Sequence, residues 1–238
     1  MSTHIDVERV KRKYRWNARV YDALVQRPTA RLRGRAVERL ALQRGETALD
    51  FGCGTGLSFA LLERAVGSEG RIIAVDVRPD MLAEARHKVS ENAWRNLETI
   101  ESDVESAPLM PESVDGALCV YTHDIMTSPR ALDVALGALR PGGRFVAAGV
   151  KLARGLRGAL LNPLTLAVSL PAITHLAALD RPWALLEARL GALEIEEHLW
   201  GTAYLARGIK PLCAGAGAVS GERLGVATRE QARFDGPR

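Results

Sequence analysis

Directly behind an apolar run at Thr47 to Phe51, the chain reads Asp50-Phe51-Gly52-Cys53-Gly54-Thr55-Gly56. No other stretch limits the possible folds as strongly. Glycine lacks a Cβ, so such a loop can take left-handed dihedrals and let a ligand lie against bare backbone. The helical pattern that follows begins with amide donors that have no partner inside the helix. Strand, glycine turn and helix in that order build a nucleotide-type cradle at the carboxyl end of a parallel strand. Asp76 closes the next strand-like run, 20 residues beyond Gly56. A carboxylate there can accept hydrogen bonds from both hydroxyls of a ribose.

The rest of the chain repeats the same alternation. Thr47 to Phe51, Arg71 to Asp76, Leu97 to Glu101, Val114 to Tyr121 and Arg144 to Leu152 are short apolar runs of strand type. Met81, Leu82, Ala85 and Val89 mark one intervening helix, and Leu132, Ala135, Leu136 and Leu139 another. Ser102 to Ser113 leaves room for no more than a turn or two of helix. After a Pro182 to Leu190 helix come strand-like Ala192 to Leu199 and Thr202 to Ile209. This predicts an α/β fold, a Rossmann-like, mainly parallel seven-stranded sheet with helices on both faces.

Three further regions are expected. Residues 1–45 form an N-terminal helical arm, whose Leu32, Ala36, Val37, Leu40 and Ala41 recur at helical spacing. Residues 46–210 form the main domain, interrupted after the fifth strand by 153–181, and 211–238 form a disordered tail. Gly158 to Leu179 contains no Lys, Arg, Asp or Glu. Its prolines and polar residues argue against a clean membrane span, and two short helices broken near Pro163 and Pro171, capping the binding edge, are expected. Packing of this segment into the core is the competing reading.

Charge and cysteine content narrow the class. Residues 1–44 hold 12 Lys and Arg against 4 Asp and Glu, so with a net charge of +4 overall the remainder is acidic. A basic arm suits an anionic surface, although a solvated helical face explains it as well. Cys53, Cys119 and Cys213 have no metal-ligand spacing and cannot all pair, so neither a metal site nor a disulfide framework is expected, and a cytoplasmic location is. The charged N-terminus lacks the apolar core of a secretory signal.

A glycine loop alone could equally serve a nicotinamide dinucleotide. Two features favour S-adenosylmethionine. The glycines read Gly52-x-Gly54-x-Gly56 behind Asp50, whose carboxylate would repel a pyrophosphate and could instead anchor an ammonium, directly or through water. Asp103 follows the third strand and could accept a hydrogen bond from an adenine amine. Asp50, Asp76 and Asp103 are therefore expected to form an acidic rim.

The stretches Leu49 to Gly56, Ile72 to Leu82, Ser102 to Ile125 and Leu139 to Val146 resemble, in order, four motifs of the class I S-adenosylmethionine-dependent methyltransferases. The flavour is that of the branch holding quinone C-methyltransferases and bacterial phospholipid N-methyltransferases. The resemblance implies that Gly52, Gly54 and Gly56 line the methionine portion of the cofactor, Asp76 with Val77 the ribose, and Asp103 with Val104 the adenine. Tyr14 and Tyr21 would close over the cofactor, or pack beneath the arm. Tyr121, Thr122 and His123 would leave the fourth strand beside the methyl, with Tyr121 touching the cofactor.

His123 is the candidate catalytic base, with packing as its alternative. Asp124 could orient it, but adjacent side chains on an extended segment point apart. The expected partner is a small acceptor, lipophilic in keeping with the uncharged segment. Peripheral membrane contact and a homo-oligomer are compatible with the sequence. Nucleic acid is not expected, since the Asn/Asp-Pro-Pro-Tyr/Phe tetrapeptide of base-modifying enzymes is replaced by Tyr121-Thr122-His123-Asp124. A cofactor-binding scaffold or cyclase that no longer transfers a methyl group is the alternative from another class.

Overall fold

The computed structural model describes residues 18–169 and 179–212. In chain order the elements are α1 (Ala18–Leu40), β1 (Thr47–Phe51), α2 (Phe59–Val66), β2 (Arg71–Asp76), α3 (Pro79–Glu91), β3 (Leu97–Glu101), β4 (Val114–Val120), α4 (His123–Met126), α5 (Pro129–Ala138), β5 (Leu139–Val150), α6 (Gly155–Ser169), α7 (Ala184–Leu190), β6 (Glu194–His198) and β7 (Ala203–Ile209). A short 3-10 turn, Val104–Ser106, is all the helix between β3 and β4.

The seven strands form one sheet in the order β3-β2-β1-β4-β5-β7-β6. The pairs among β1 to β5 are parallel, while β7 runs antiparallel to both β5 and β6. Strand order reverses between β1 and β4. That switch point opens a crevice at the strands' carboxyl ends.

Side chains alternate across the sheet. Leu49, Phe51, Ile73, Val75, Ala117 and Phe145 meet α5 and α7 on one face. Ala48, Ile72, Leu118 and Val146 meet Leu32, Ala36, Val37 and Leu40 of α1 and Leu62 and Val66 of α2 on the other. Each fully buried Leu or Phe here contributes about 1.5 to 3 kcal/mol. Asp50 shares the face of Ala48 by the same alternation, which turns a carboxylate toward α1. Local chemistry starts the helices on schedule: α3 opens with Pro79 in its first turn, and Ser128 caps α5 by accepting from the Ala131 N–H at 3.2 Å.

Some expectations are corrected. β4 stops at Val120 because Tyr121 takes a left-handed φ of 59°. β5 begins at Leu139, which pairs with Val114 before an irregularity, and the ladder resumes at Arg144 opposite Gly116. The segment after β5 does not break at Pro163. α6 runs through it, since an internal proline forfeits one hydrogen bond and a helix secured elsewhere survives that. Its anchor is Asn162, whose side chain accepts from Ala153 N–H at 2.9 Å and donates to Ala153 C=O at 3.0 Å. Pro171 and the tail beyond 212 lie outside the described residues. Among those that are described, no helix is long and apolar enough to cross a membrane.

Candidate cofactor site

The glycine loop is suspended from β2. Gly52 and Cys53 donate to the Val75 carbonyl at 2.8 and 3.0 Å, and Gly54 donates to the Asp76 carboxylate at 2.8 Å. The other Asp76 oxygen accepts from the Arg78 N–H at 2.9 Å. The carboxylate therefore shapes the loop as well as facing the cavity, and each of its oxygens retains a lone pair for a ligand. Gly52 cannot be replaced cheaply: its φ is 82°, and a Cβ would stand 2.5 Å from Thr122 Cγ2.

A cavity opens over this loop. Its wall takes Gly52, Cys53, Gly54, Thr55 and Leu57 from the loop, Asp76, Val77 and Arg78 from the end of β2, and Met81 from α3. Val104 comes from the turn after β3, the run Val120 to Ile125 from the end of β4 and α4, and Arg33 from α1. The wall thus combines apolar Val77, Met81 and Val104 with the backbone of the glycine loop and a guanidinium.

Of the residues singled out in the sequence, Gly52, Gly54, Asp76, Val77, Val104, Tyr121 and His123 meet on this wall. Others do not. Gly56 lies off the wall and donates to the Cys53 carbonyl at 3.0 Å, closing the turn. Asp103 is also off the wall, because its carboxylate caps the 3-10 turn by accepting from the Glu105 N–H at 2.9 Å. Asp50 is 2% exposed, so the acidic rim is reduced to Asp76 at the surface with Asp50 buried behind it. Tyr14, and the side chain of Tyr21, lie outside the described residues. None of the described residues of 153–181 lines the cavity, and 170–178 lie outside the described residues. His123 and Asp124 both reach the wall, since the segment is a helical turn rather than an extended one.

Sequence reasoning missed Arg33. It is buried although it belongs to the basic arm, and its guanidinium donates to Thr29 Oγ1 one helical turn away at 3.0 Å. The signal was a cation inside an apolar helical stripe, between Leu32 and Ala36. Arg33 also faces Asp50 electrostatically. Burial pushes the Asp50 carboxyl up from 3.8 to about 7, Arg33 opposes this, and Asp76 adds to it. Asp50 Oδ2 is buried without a hydrogen-bond partner. Burial likewise raises Asp76, against the two backbone N–H bonds that it accepts.

These residues fit S-adenosylmethionine. A buried carboxylate oxygen with no hydrogen-bond partner suits a cationic donor, the guanidinium of Arg33 on the wall suits an anion, and the amino-acid end of the cofactor carries both charges. The β2-end carboxylate suits the ribose.

Comparison with known proteins agrees. Residues 48–143 match the family described as a methyltransferase domain. Over 111 residues the chain is 35% identical to the arsenite methyltransferase of Halobacterium salinarum, covering 46% of this chain and 28% of that protein. Over 110 residues it is 36% identical to the 2-phytyl-1,4-naphtoquinone methyltransferase of Thermosynechococcus vestitus, covering 46% and 48% respectively. The matches therefore span less than half the length of either relative. A crystal structure of a SAM-dependent methyltransferase from Aquifex aeolicus superposes with a TM-score of 0.60 at 19% identity, over 82% of this chain and 99% of that one. The fold is that of the class I S-adenosylmethionine-dependent methyltransferases. Residues 48–143 match a methyltransferase domain, and the cofactor of the class is S-adenosylmethionine.

Proposed function

We propose that this chain transfers the methyl group of S-adenosylmethionine to a small, lipophilic acceptor. The observation that carries the reading is a buried Asp50 carboxylate oxygen without a hydrogen-bond partner at the head of a glycine loop whose next strand ends in Asp76, with Arg33 on the cavity wall. Asp50 would hold the ammonium, Arg33 the carboxylate, Asp76 the ribose, and Val77, Met81 and Val104 the faces of the adenine. Bound there, the cofactor supplies a methyl on a sulfonium, which is electrophilic without further activation.

What remains for the chain is to place a nucleophile in line, to keep water away and to handle one proton. The end of β4 does the placing. Tyr121 is held in its left-handed turn by an N–H bond to the Ala148 carbonyl at 2.8 Å, which delivers His123 and Asp124 to the wall. Such strain at a cavity mouth is costly, by about 1 to 3 kcal/mol, and is commonly kept where position matters. His123 would take the proton from an acceptor hydroxyl, or from a ring carbon once methylated.

One observation supports a lipophilic acceptor: a relative is named for a phytyl naphthoquinone. The test is methyl transfer from labelled cofactor into separate lipid-extract, soluble-metabolite and nucleic-acid pools. Label in the lipid extract is the expected result. Label in nucleic acid would overturn the acceptor class, and label in no pool, with the cofactor bound, would favour a non-transferring scaffold.

A further inference from the structure

α6 presents an apolar face away from the domain. Its orientation is fixed on one side by Asn162, bonded to Ala153 through both side-chain atoms, and by Gly158, where a Cβ would stand 2.2 Å from the Ala153 carbonyl oxygen. Leu156, Ala159, Leu160 and Pro163 occupy the opposite side of the helix, and all four are exposed, Leu156 at 92% and Leu160 at 80%. Helices of a soluble domain ordinarily turn polar residues outward, and the described residues of this face are all apolar.

Beside α6 stands the tip of the β6–β7 hairpin. Leu199 to Thr202 form its turn, between the paired His198 and Ala203, with Leu199, Trp200 and Gly201 at φ 48°, 56° and 91°. Three consecutive left-handed residues carry this four-residue loop; glycine takes that conformation freely, whereas a leucine and a tryptophan are costly there. Thr202 braces it, its hydroxyl donating to the Leu199 carbonyl at 2.8 Å. The result is a stiff loop that holds Leu199 60% and Trp200 77% exposed. Because β7 starts opposite Val150, this tip lies at the carboxyl edge of the sheet, the edge that carries the cavity.

We propose that the outer face of α6 and the hairpin tip together dock the protein onto an anionic lipid surface. The leucines would enter the acyl boundary while Trp200 sits among the headgroups, the layer its amphipathic ring prefers. Charge agrees with this occupant. Arg154 stands directly before α6, with its side chain 70% exposed. Its ion pair with Asp180 is a surface pair that holds the guanidinium only weakly. A second copy of the chain fits less well, because four helix residues and a two-residue tip fall far short of the roughly 20 to 30 residues per side of a stable dimer. Docking by this edge would let an acceptor pass from the bilayer to the cavity, and that consequence rests on the proposed function. The surface itself does not.

The experiment is co-sedimentation with phosphatidylglycerol/phosphatidylcholine vesicles and with phosphatidylcholine vesicles alone. Wild type, Leu156→Gln/Leu160→Gln and Trp200→Ser are compared, with melting temperature, sedimentation state and cofactor affinity measured on the same preparations. Wild type should bind the anionic vesicles, more weakly at high salt. Each variant should lose about tenfold or more in partitioning, the scale of withdrawing an apolar side chain from an apolar phase, while melting temperature and cofactor affinity hold. Wild type that stays in the supernatant overturns the proposal. So does a dimer that the variants split, which assigns the face to a second copy. A fall of melting temperature with vesicle binding intact overturns it too, and assigns the face to residues 170–178. Failure of methyl transfer with vesicle binding preserved would instead count against the proposed function alone.

Discussion

Replacing Asp50 with asparagine separates what this residue does for the cofactor from what it costs the fold. Burial raises the Asp50 carboxyl from 3.8 to about 7 in the empty protein. The sign follows from linkage: with the folded value above the unfolded one, the folded state binds the proton more tightly. Its stabilisation is complete below about pH 4 and is lost as pH rises to about 7. Three powers of ten in that equilibrium correspond to roughly 4 kcal/mol above pH 7, and to about 1.5 kcal/mol near pH 5. The asparagine amide of the variant does not titrate. Urea unfolding of the empty proteins should therefore show wild type losing on the order of 2 to 3 kcal/mol relative to Asp50→Asn between about pH 5 and about pH 8. Any pH-independent effect of the amide cancels in that difference. Added S-adenosylmethionine should raise the melting temperature of wild type and leave that of Asp50→Asn nearly unmoved. A stability difference that does not vary with pH, or equal protection of both proteins, would refute the role given to Asp50.

Three more substitutions test the site. Arg33→Met should weaken cofactor binding about tenfold or more through loss of a charge-assisted pair, seen by titration calorimetry, with circular dichroism unchanged. Asp76→Ala should weaken it by about 1 to 3 kcal/mol, whereas Asp76→Asn, which can still accept from Gly54 or Arg78, should lose less. His123→Ala should lower turnover about 100-fold at unchanged cofactor affinity; an unaltered rate would leave His123 a packing residue.

The sheet was legible because buried parallel strands must be short and apolar, and the runs at Thr47, Arg71 and Val114 are of that kind. Boundaries were less legible where tertiary pairing overrides local pattern, as at Leu139, which its pairing with Val114 draws into β5. The loop glycines and Asp76 were readable from spacing, since bare backbone and a strand-end carboxylate have few other uses. Arg33 was not. A cation on an amphipathic helix reads as solvated unless the position of the helix against the sheet is known, and that comes from contacts distant in sequence. The same limit hid the outward turn of α6: its composition announced an apolar segment, but only Gly158 and Asn162 against Ala153 decide which side meets the domain.

The central claim is that the Asp50 to Gly56 loop, Asp76 and Arg33 hold the amino acid and ribose of S-adenosylmethionine. Titration calorimetry of the folded chain with S-adenosylmethionine and with S-adenosylhomocysteine tests it most directly. Saturable one-to-one binding of both is expected, lost in Asp50→Asn and absent for a nicotinamide dinucleotide. No heat from either molecule with the protein folded, or preferential binding of the dinucleotide, would contradict it.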